Sequence, residues 1–108
     1  HPHGIFLVAS LGDHIVGYGG VWLVVDEAHI TTIAVDPDYR RQGIARSIMH
    51  ALLDQAAKRG ATCSTLEVRA GNEAAIRLYE GLGYVRAAVR KRYYPDNKED
   101  AVVMWRYE

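Results

Sequence analysis

Short apolar runs broken by turn residues fill the first third of the chain, and the period of the apolar positions then changes. Gly4–Ser10 reads as a strand, Leu11-Gly12-Asp13-His14 supplies turn chemistry, and Ile15–Val25 reads as a second strand that stops at the polar pair Asp26-Glu27. Three glycines inside that second run, Gly17, Gly19 and Gly20, point to a bulge or to a close backbone neighbour. Ala28–Val35 is a third strand, closed by Asp36-Pro37, and the three together predict an antiparallel meander. From Gly43 to Arg59 the residues Ile44, Ile48, Met49, Leu52, Leu53 and Ala56 recur at helical spacing, and Gly60 supplies the stop. Thr62–Val68 returns to β-formers, so strand, helix and strand predict a right-handed parallel crossover. Asn72 is placed to cap a second helix, Glu73–Leu82, which carries Ala75, Ile76, Tyr79 and Leu82 on one face and Gly83 behind it. Tyr84–Val89 and Ala101–Tyr107 are the last strands, joined by a long polar connection, Arg90–Asp100, of the kind that often carries function. The pattern predicts a mixed α/β fold of six strands and two helices.

Composition narrows the function classes. Thirteen Lys and Arg balance thirteen Asp and Glu, which leaves no general electrostatic footprint for nucleic acid or an anionic membrane. No apolar run approaches the roughly 20 residues of a membrane span, and His1-Pro2-His3 does not resemble a secretory signal. The one cysteine, Cys63, sits among strand formers and is expected to be a buried, inert thiol. These features predict a soluble protein of the reducing cytoplasm. The five histidines show no metal-ligand spacing, and no metal is expected.

The most informative segment is Val35-Asp36-Pro37-Asp38-Tyr39-Arg40-Arg41-Gln42-Gly43-Ile44-Ala45-Arg46, where a strand ends, two arginines follow, and Gly opens a helix. The first turn of a helix offers unpaired N–H groups and partial positive charge, and Gly43 lets the backbone approach an oxyanion. On spacing alone, an ordinary turn with solvated arginines remains the alternative. The segment Arg40-x-x-Gly43-x-Ala45 resembles the pyrophosphate motif of the GNAT superfamily, and Thr32-Ile33-Ala34-Val35-Asp36-Pro37 before it and Asn72-x-x-Ala75-x-x-Leu78-Tyr79-x-x-x-Gly83-Tyr84 after it are similar to the segments that flank that motif. Within the superfamily the sequence looks most like the RimI-type ribosomal-protein alanine N-acetyltransferases, through Asp26-Glu27-Ala28-His29-Ile30, Leu66-Glu67-Val68-Arg69 and Arg90-Lys91-Arg92-Tyr93-Tyr94-Pro95, extended by Glu99-Asp100-Ala101 and Met104. Members of that family begin with a further strand and two helices. The resemblance therefore implies that residues 1–108 form a single GNAT domain truncated at its N terminus, without one wall of the acceptor groove.

The resemblance implies a six-stranded, mostly antiparallel sheet with a splayed parallel pair that receives acetyl-coenzyme A. The backbone of Ile33, Ala34 and Val35 would then pair with the pantetheine amides, and Arg40, Arg41, Gln42, Gly43, Ile44, Ala45 and Arg46 would hold the pyrophosphate. Asn72 would bond the pantetheine arm, its other reading being a plain helix cap. The family pattern makes Glu67 the general base, and a carboxylate among apolar strand residues suits that task; the alternative is a surface Glu paired with Arg69. It likewise makes Tyr79 the general acid that protonates the leaving thiolate, the alternative being a core tyrosine. Asp26, Glu27, His29 and Tyr94 are weaker candidates for acceptor contact, with His29 more readily a structural strand residue and Tyr93 and Tyr94 packing residues of a basic loop. The expected function is acetyl transfer to a protein N-terminal α-amino group, with an alanine-starting ribosomal protein as prime candidate. A GNAT enzyme acting on lysine or a small amine, and a non-catalytic acetyl-coenzyme A binder, are the rivals. Acceptor identity and oligomeric state are not encoded in these motifs.

Overall fold

The computed structural model describes residues 3–107, so His1 and Pro2 lie outside the described residues. Its elements run β1 (Gly4–Leu11), β2 (His14–Val24), β3 (Glu27–Val35), α1 (Ile44–Lys58), β4 (Cys63–Arg69), α2 (Glu73–Gly81), β5 (Val85–Arg90) and β6 (Ala101–Tyr107). Every strand and helix read from the hydrophobic pattern is present. The chain groups into two compact units, His1–Thr62 and Cys63–Glu108, and each is best understood by itself. No helix among the described residues is long and apolar enough to cross a membrane.

The first unit is an antiparallel meander, β1-β2-β3, with α1 packed on one face. Ile5, Val21, Ala28, Ile48, Leu52 and Ala56 form its buried core, with Leu7, Ala9, Leu23, Ile30, Ile33 and Ile44 packed around them. Alternation along β1 sends Ile5 inward and leaves Phe6 and Val8 exposed on the other face, where Phe6 stacks on Tyr18. The glycines of β2 explain how close α1 lies. A Cβ on Gly19 would stand 2.6 Å from Ile48 and 2.8 Å from Ile33, and one on Gly17 would stand 2.8 Å from the carbonyl oxygen of Ala34. The expected irregularity is also there: the β2–β3 register shifts between Gly20 and Val21, and the β1–β2 register shifts between Ala9 and Ser10. Helix α1 ends in a Schellman motif, with Gly60 at φ +97° donating to Ala57 and Ala61 donating to Ala56.

The second unit pairs β4 with β6 and β6 with β5, all antiparallel, and carries α2. Leu66, Val68, Ile76, Tyr79, Leu82, Tyr84, Val102 and Met104 are buried. Two buried hydroxyls are satisfied: Ser64 and Tyr84 share a 2.6 Å bond, and Thr65 donates to the Met104 carbonyl. Asn72 caps α2 as expected, its Oδ1 accepting from the Ala75 amide. The other end is a second Schellman motif, Gly83 to Glu80 and Tyr84 to Tyr79, and Arg106 donates to the Leu82 carbonyl. Cys63 departs from its expected burial. As the first residue of β4 it is only half-buried.

Gly19→Ala should overpack the α1–β2 contact, since the added methyl meets three core side chains within 3.0 Å. Overpacking of this kind typically costs about 1–3 kcal/mol. A urea midpoint equal to that of the parent chain would mean that Ile48 and Leu52 can move aside.

Candidate active site

The Arg40–Arg46 segment is set up by a chain of backbone contacts within the first unit. The β2–β3 pairing, which ends with Gly17 opposite Val35, is continued one step by the Asp36 amide, which donates to the Val16 carbonyl at 2.8 Å. Asp36 closes β3, and its side chain accepts from the Asp38 amide, which starts a single 3-10 turn over Pro37–Tyr39. His14, the first residue of β2, lies 3.6 Å from Asp36 Oδ2 and against the Tyr39 ring. The backbone then enters the left-handed region twice, at Arg41 (φ +65°) and at Gly43 (φ +77°), before α1 begins. Alternation of this sort turns successive N–H groups toward one side, a concavity suited to an anion. Gly43 is the N-cap of α1 and brings no capping side chain. An added Cβ there would meet nothing within 4 Å, so the space in front of the helix is open. Arg40, Arg41, Gln42 and Arg46 are exposed, while Ile44 and Ala45 tuck partly inward. The residues present fit a phosphate group on these grounds.

Strand β3 supplies Ile33, Ala34 and Val35, which pair with Gly19, Tyr18 and Gly17 of β2. In an antiparallel ladder alternate peptide groups face the partner strand, so half of those on β3 are turned away from β2. Near the start of β3, Glu27 and His29 approach each other at 2.9 Å between Oε1 and Nε2, and both are half-buried. Asp26 is committed to Thr62, accepting through its carbonyl from the amide and through its carboxylate from the hydroxyl.

In the second unit Glu67 projects from β4 with a side chain that is 30% exposed. Its Oε1 accepts from the Tyr93 hydroxyl at 3.0 Å, and its Oε2 pairs with Arg90 Nε. The Arg69 partnership weighed from sequence does not form. Arg69 instead pairs with Asp96 at 3.2 Å and Glu99 at 3.5 Å, and its guanidinium lies 4.0 Å from the centre of the Tyr94 ring. Tyr79 is buried on the apolar face of α2 and meets the Tyr84 ring edge-on. Burial pushes its phenol above the ordinary tyrosine range, which keeps it protonated. Burial also raises Tyr94, whereas the raised value of Tyr93 comes first from its bond to Glu67. Among the described residues there is no group of three or more His, Cys, Asp or Glu that could hold a metal ion.

The loop that follows β5 is more ordered than its polar sequence indicates. Tyr94 donates to the Glu99 carbonyl and Lys98 to the Tyr94 carbonyl, Glu99 Oε2 takes the Gly71 amide at 2.7 Å, and Asp100 Oδ1 takes the Arg92 amide at 2.9 Å. Sequence reasoning singled out this loop but missed that Arg90 and Tyr93 converge on Glu67. The three basic residues followed by two tyrosines over Arg90–Tyr94 were the available signal, and only the strand register turns them into a contact.

Comparison with known proteins adds an independent line. The model of the acetyltransferase (GNAT) family matches residues 1–84. The chain is 52% identical over 84 residues to the [ribosomal protein bS18]-alanine N-acetyltransferase of Escherichia coli K12, which covers 76% of this chain and 57% of that protein, so the chain spans little more than half of that relative. The crystal structure of the ribosomal-protein-S18-alanine N-acetyltransferase from Escherichia coli superposes with a TM-score of 0.92 at 39% identity, covering 99% of this chain and 70% of that one. A NatC complex bound to Gag peptide and CoA gives a TM-score of 0.82 at 26% identity, covering 93% of this chain and 65% of that one.

The loop anchors predict an acid transition. Asp96, Glu99 and Asp100 are held below the ordinary carboxylate range, first by the Arg69 hydrogen bond, the Gly71 amide and the Arg92 amide respectively. A lowered folded value contributes stability above the unfolded value and loses it as pH falls through the folded one. The amide resonances of Gly71 and Arg92 should therefore stay constant from neutral pH down through the ordinary carboxylate range and move only below it. Movement centred at the value of a free carboxylate would show that these bonds do not persist in solution.

Proposed function

The chain belongs to the acetyltransferase (GNAT) family, and on that premise we propose that it transfers an acetyl group from acetyl-coenzyme A to a protein N-terminal α-amino group, with an alanine-starting ribosomal protein as the acceptor to test first. The observation that carries the proposal is the mouth of α1: a helix N-terminus without a side-chain cap, preceded by left-handed Arg41 and Gly43 and open in front of Gly43. Arg40, Arg41 and Arg46 add positive charge to the N–H groups of the first turn, which favours a pyrophosphate. The names of the relatives support the choice of acceptor.

Acetyl-coenzyme A brings an acyl group already activated as a thioester. The amine must be neutral to attack it, and an α-amino group titrates near 8 against about 10.4 for lysine. Less work falls on the base when the acceptor is a chain terminus. In this reading Glu67 takes the amine proton as the C–N bond forms, and Tyr79 gives its phenolic proton to the sulfur as the C–S bond breaks. Burial suits Tyr79 to that second task, because a phenol kept neutral has a proton to give. Asn72 caps α2 through Oδ1, and in this reading its amide NH₂ is the donor it offers the pantetheine arm.

Two measurements test this. Gly43→Val should abolish close backbone approach and force a β-branched residue to φ +77°, weakening acetyl-coenzyme A binding by calorimetry in a variant that remains folded. Unchanged affinity would locate the pyrophosphate elsewhere. In a thiol-release assay, a peptide beginning with a free Ala should react faster than its Nα-blocked form carrying a lysine. Glu67→Gln should lower kcat by roughly 10²–10⁴-fold with little change in acetyl-coenzyme A affinity, and part of the rate should return at higher pH. The loss in Tyr79→Phe should not be rescued by raising pH. A Glu67→Gln chain with the parental rate and profile would demote Glu67 to a structural strand residue, and a faster blocked lysine peptide would exclude the N-terminal reading.

A further inference from the structure

Sheet register decides which side chains of the second unit share a face with Glu67. Residues opposite each other in an antiparallel pair point to the same side, and residues two apart on one strand do likewise. Glu67 pairs with Val103 across β4–β6, and Val103 pairs with Ala88 across β6–β5. Ala88 and Arg90 therefore share the face of Glu67, as does Ala101, which pairs with Arg69 on one side and Arg90 on the other. This arrangement depends on the register shift between Arg86 and Ala88. Had the pairing set by Val85 with Trp105 and Arg86 with Met104 run on without a shift, Ala87 would stand opposite Val103 and Arg90 would fall on the opposite face. The small side chains of Ala88 and Ala101 leave the guanidinium of Arg90 a path across β6. The result is the contact between Arg90 Nε and Glu67 Oε2, closed into a triangle by the Tyr93 hydroxyl on Oε1 and by the Arg90 guanidinium 5.7 Å from the Tyr93 ring centre.

We infer that Arg90 is a positioning residue for Glu67: it holds Oε2 and so reserves Oε1 as the oxygen that receives the proton of the acceptor amine. This rests on the reading of Glu67 as the base. The two oxygens differ in what they would give up. Oε2 is bound to a fixed cation, the stronger kind of hydrogen bond, whereas Oε1 is bound to a neutral phenol on an exposed loop residue. An incoming amine displaces the phenol and leaves the guanidinium in place. The proton then passes from the amine nitrogen to Oε1, and Arg90 keeps its charge throughout. A stabilising role does not account for the contact. The Arg90 side chain is 61% exposed and every residue of β5 is exposed, so an ion pair there contributes little to folding.

The test compares Arg90→Gln, Arg90→Lys, Glu67→Gln and the double variant Arg90→Gln/Glu67→Gln, using a peptide with a free N-terminal Ala and following thiol release. Arg90→Gln should lower kcat by roughly tenfold to a hundredfold, the scale of a misplaced catalytic group, while KM for acetyl-coenzyme A and the melting temperature stay at parental values. Arg90→Lys should recover part of the loss, and the double variant should be no slower than Glu67→Gln alone. A parental rate in Arg90→Gln, or losses that multiply in the double variant, overturns the inference while a slow Glu67→Gln leaves the base reading standing. A fast Glu67→Gln sinks the base reading instead. A second readout does not depend on turnover. In protein labelled at the Glu side-chain carboxyl carbon, the resonance that vanishes in Glu67→Gln should shift in Arg90→Gln and return toward its parental position in Arg90→Lys. An unmoved resonance overturns the inference.

Discussion

The distance between α1 and β2 is the constraint on which the first unit depends. Ordinary side chains hold a helix away from a sheet, and β2 removes them where the helix crosses. Gly17 and Gly19 let Ile48 and Leu52 descend onto the strand backbone, and an added Cβ would stand within 3.1 Å of a core side chain at either position. Glycine inside a strand costs roughly 0.5–1 kcal/mol in backbone entropy relative to alanine, so two of them require a compensating gain. The gain is the packing of a helix whose Ile48 and Leu52 are buried against the meander. Because α1 is seated by this contact, its first turn is seated too, and the Val16–Asp36 bond delivers the chain from β3 to that turn. The geometry of the Arg40–Arg46 segment is thus a consequence of glycines more than twenty residues away.

The second unit depends on strand irregularity rather than on close packing. The register shift between Arg86 and Ala88 decides whether Arg90 meets Glu67 or the far side of the sheet. Below it, Arg69 organises the loop by gathering Asp96, Glu99 and the Tyr94 ring, so the loop that brings Tyr93 to Glu67 is built around a second arginine on the same sheet face. Like charges so placed would repel in isolation. Each is neutralised by its own carboxylates, Arg90 by Glu67 and Arg69 by Asp96 and Glu99. The even charge balance of the whole chain therefore conceals a local division of labour.

Much of this was legible in the sequence, for identifiable reasons. Apolar period and turn residues located every element, because a strand with buried alternate positions and a helix with one buried face leave unmistakable spacings. The Gly60 and Gly83 stops were readable because only a left-handed residue completes a Schellman motif, and Asn72 was readable because caps use few residue types. The Arg40–Gly43 turn stood out through a short motif whose local backbone does the work, and family membership followed from motifs spread along the chain. Partners set by register were not legible. Arg69, two residues on, was the partner weighed for Glu67 as the alternative to a base, because sequence exposes i,i+2 proximity and hides a register shift in a different strand. The ordering of the Arg90–Asp100 loop was hidden for a related reason. Its bonds to Gly71 and Arg69 close over long sequence separations. Cys63 was misjudged because strand composition says little about the exposure of a strand's first residue.

The two helix N-termini show where stability and function part. Helix α2 begins at Asn72 with its side chain satisfying a backbone amide and Glu73 in the first turn, an acidic residue well placed against the helix dipole. Helix α1 begins at Gly43 with no capping side chain and no acid in its first turn. Instead it has arginines on both sides of the cap, which oppose the positive end of the dipole. Optimising the free chain would reverse this choice, since a capping side chain typically contributes about 1 kcal/mol and an acidic first turn a few tenths more. The arrangement becomes favourable once an anion occupies the turn, because it then supplies both the hydrogen-bond acceptor that Gly43 lacks and the charge that the arginines require. On the proposed reading, the same sequence closes one helix end as a joint and leaves the other for a ligand to complete.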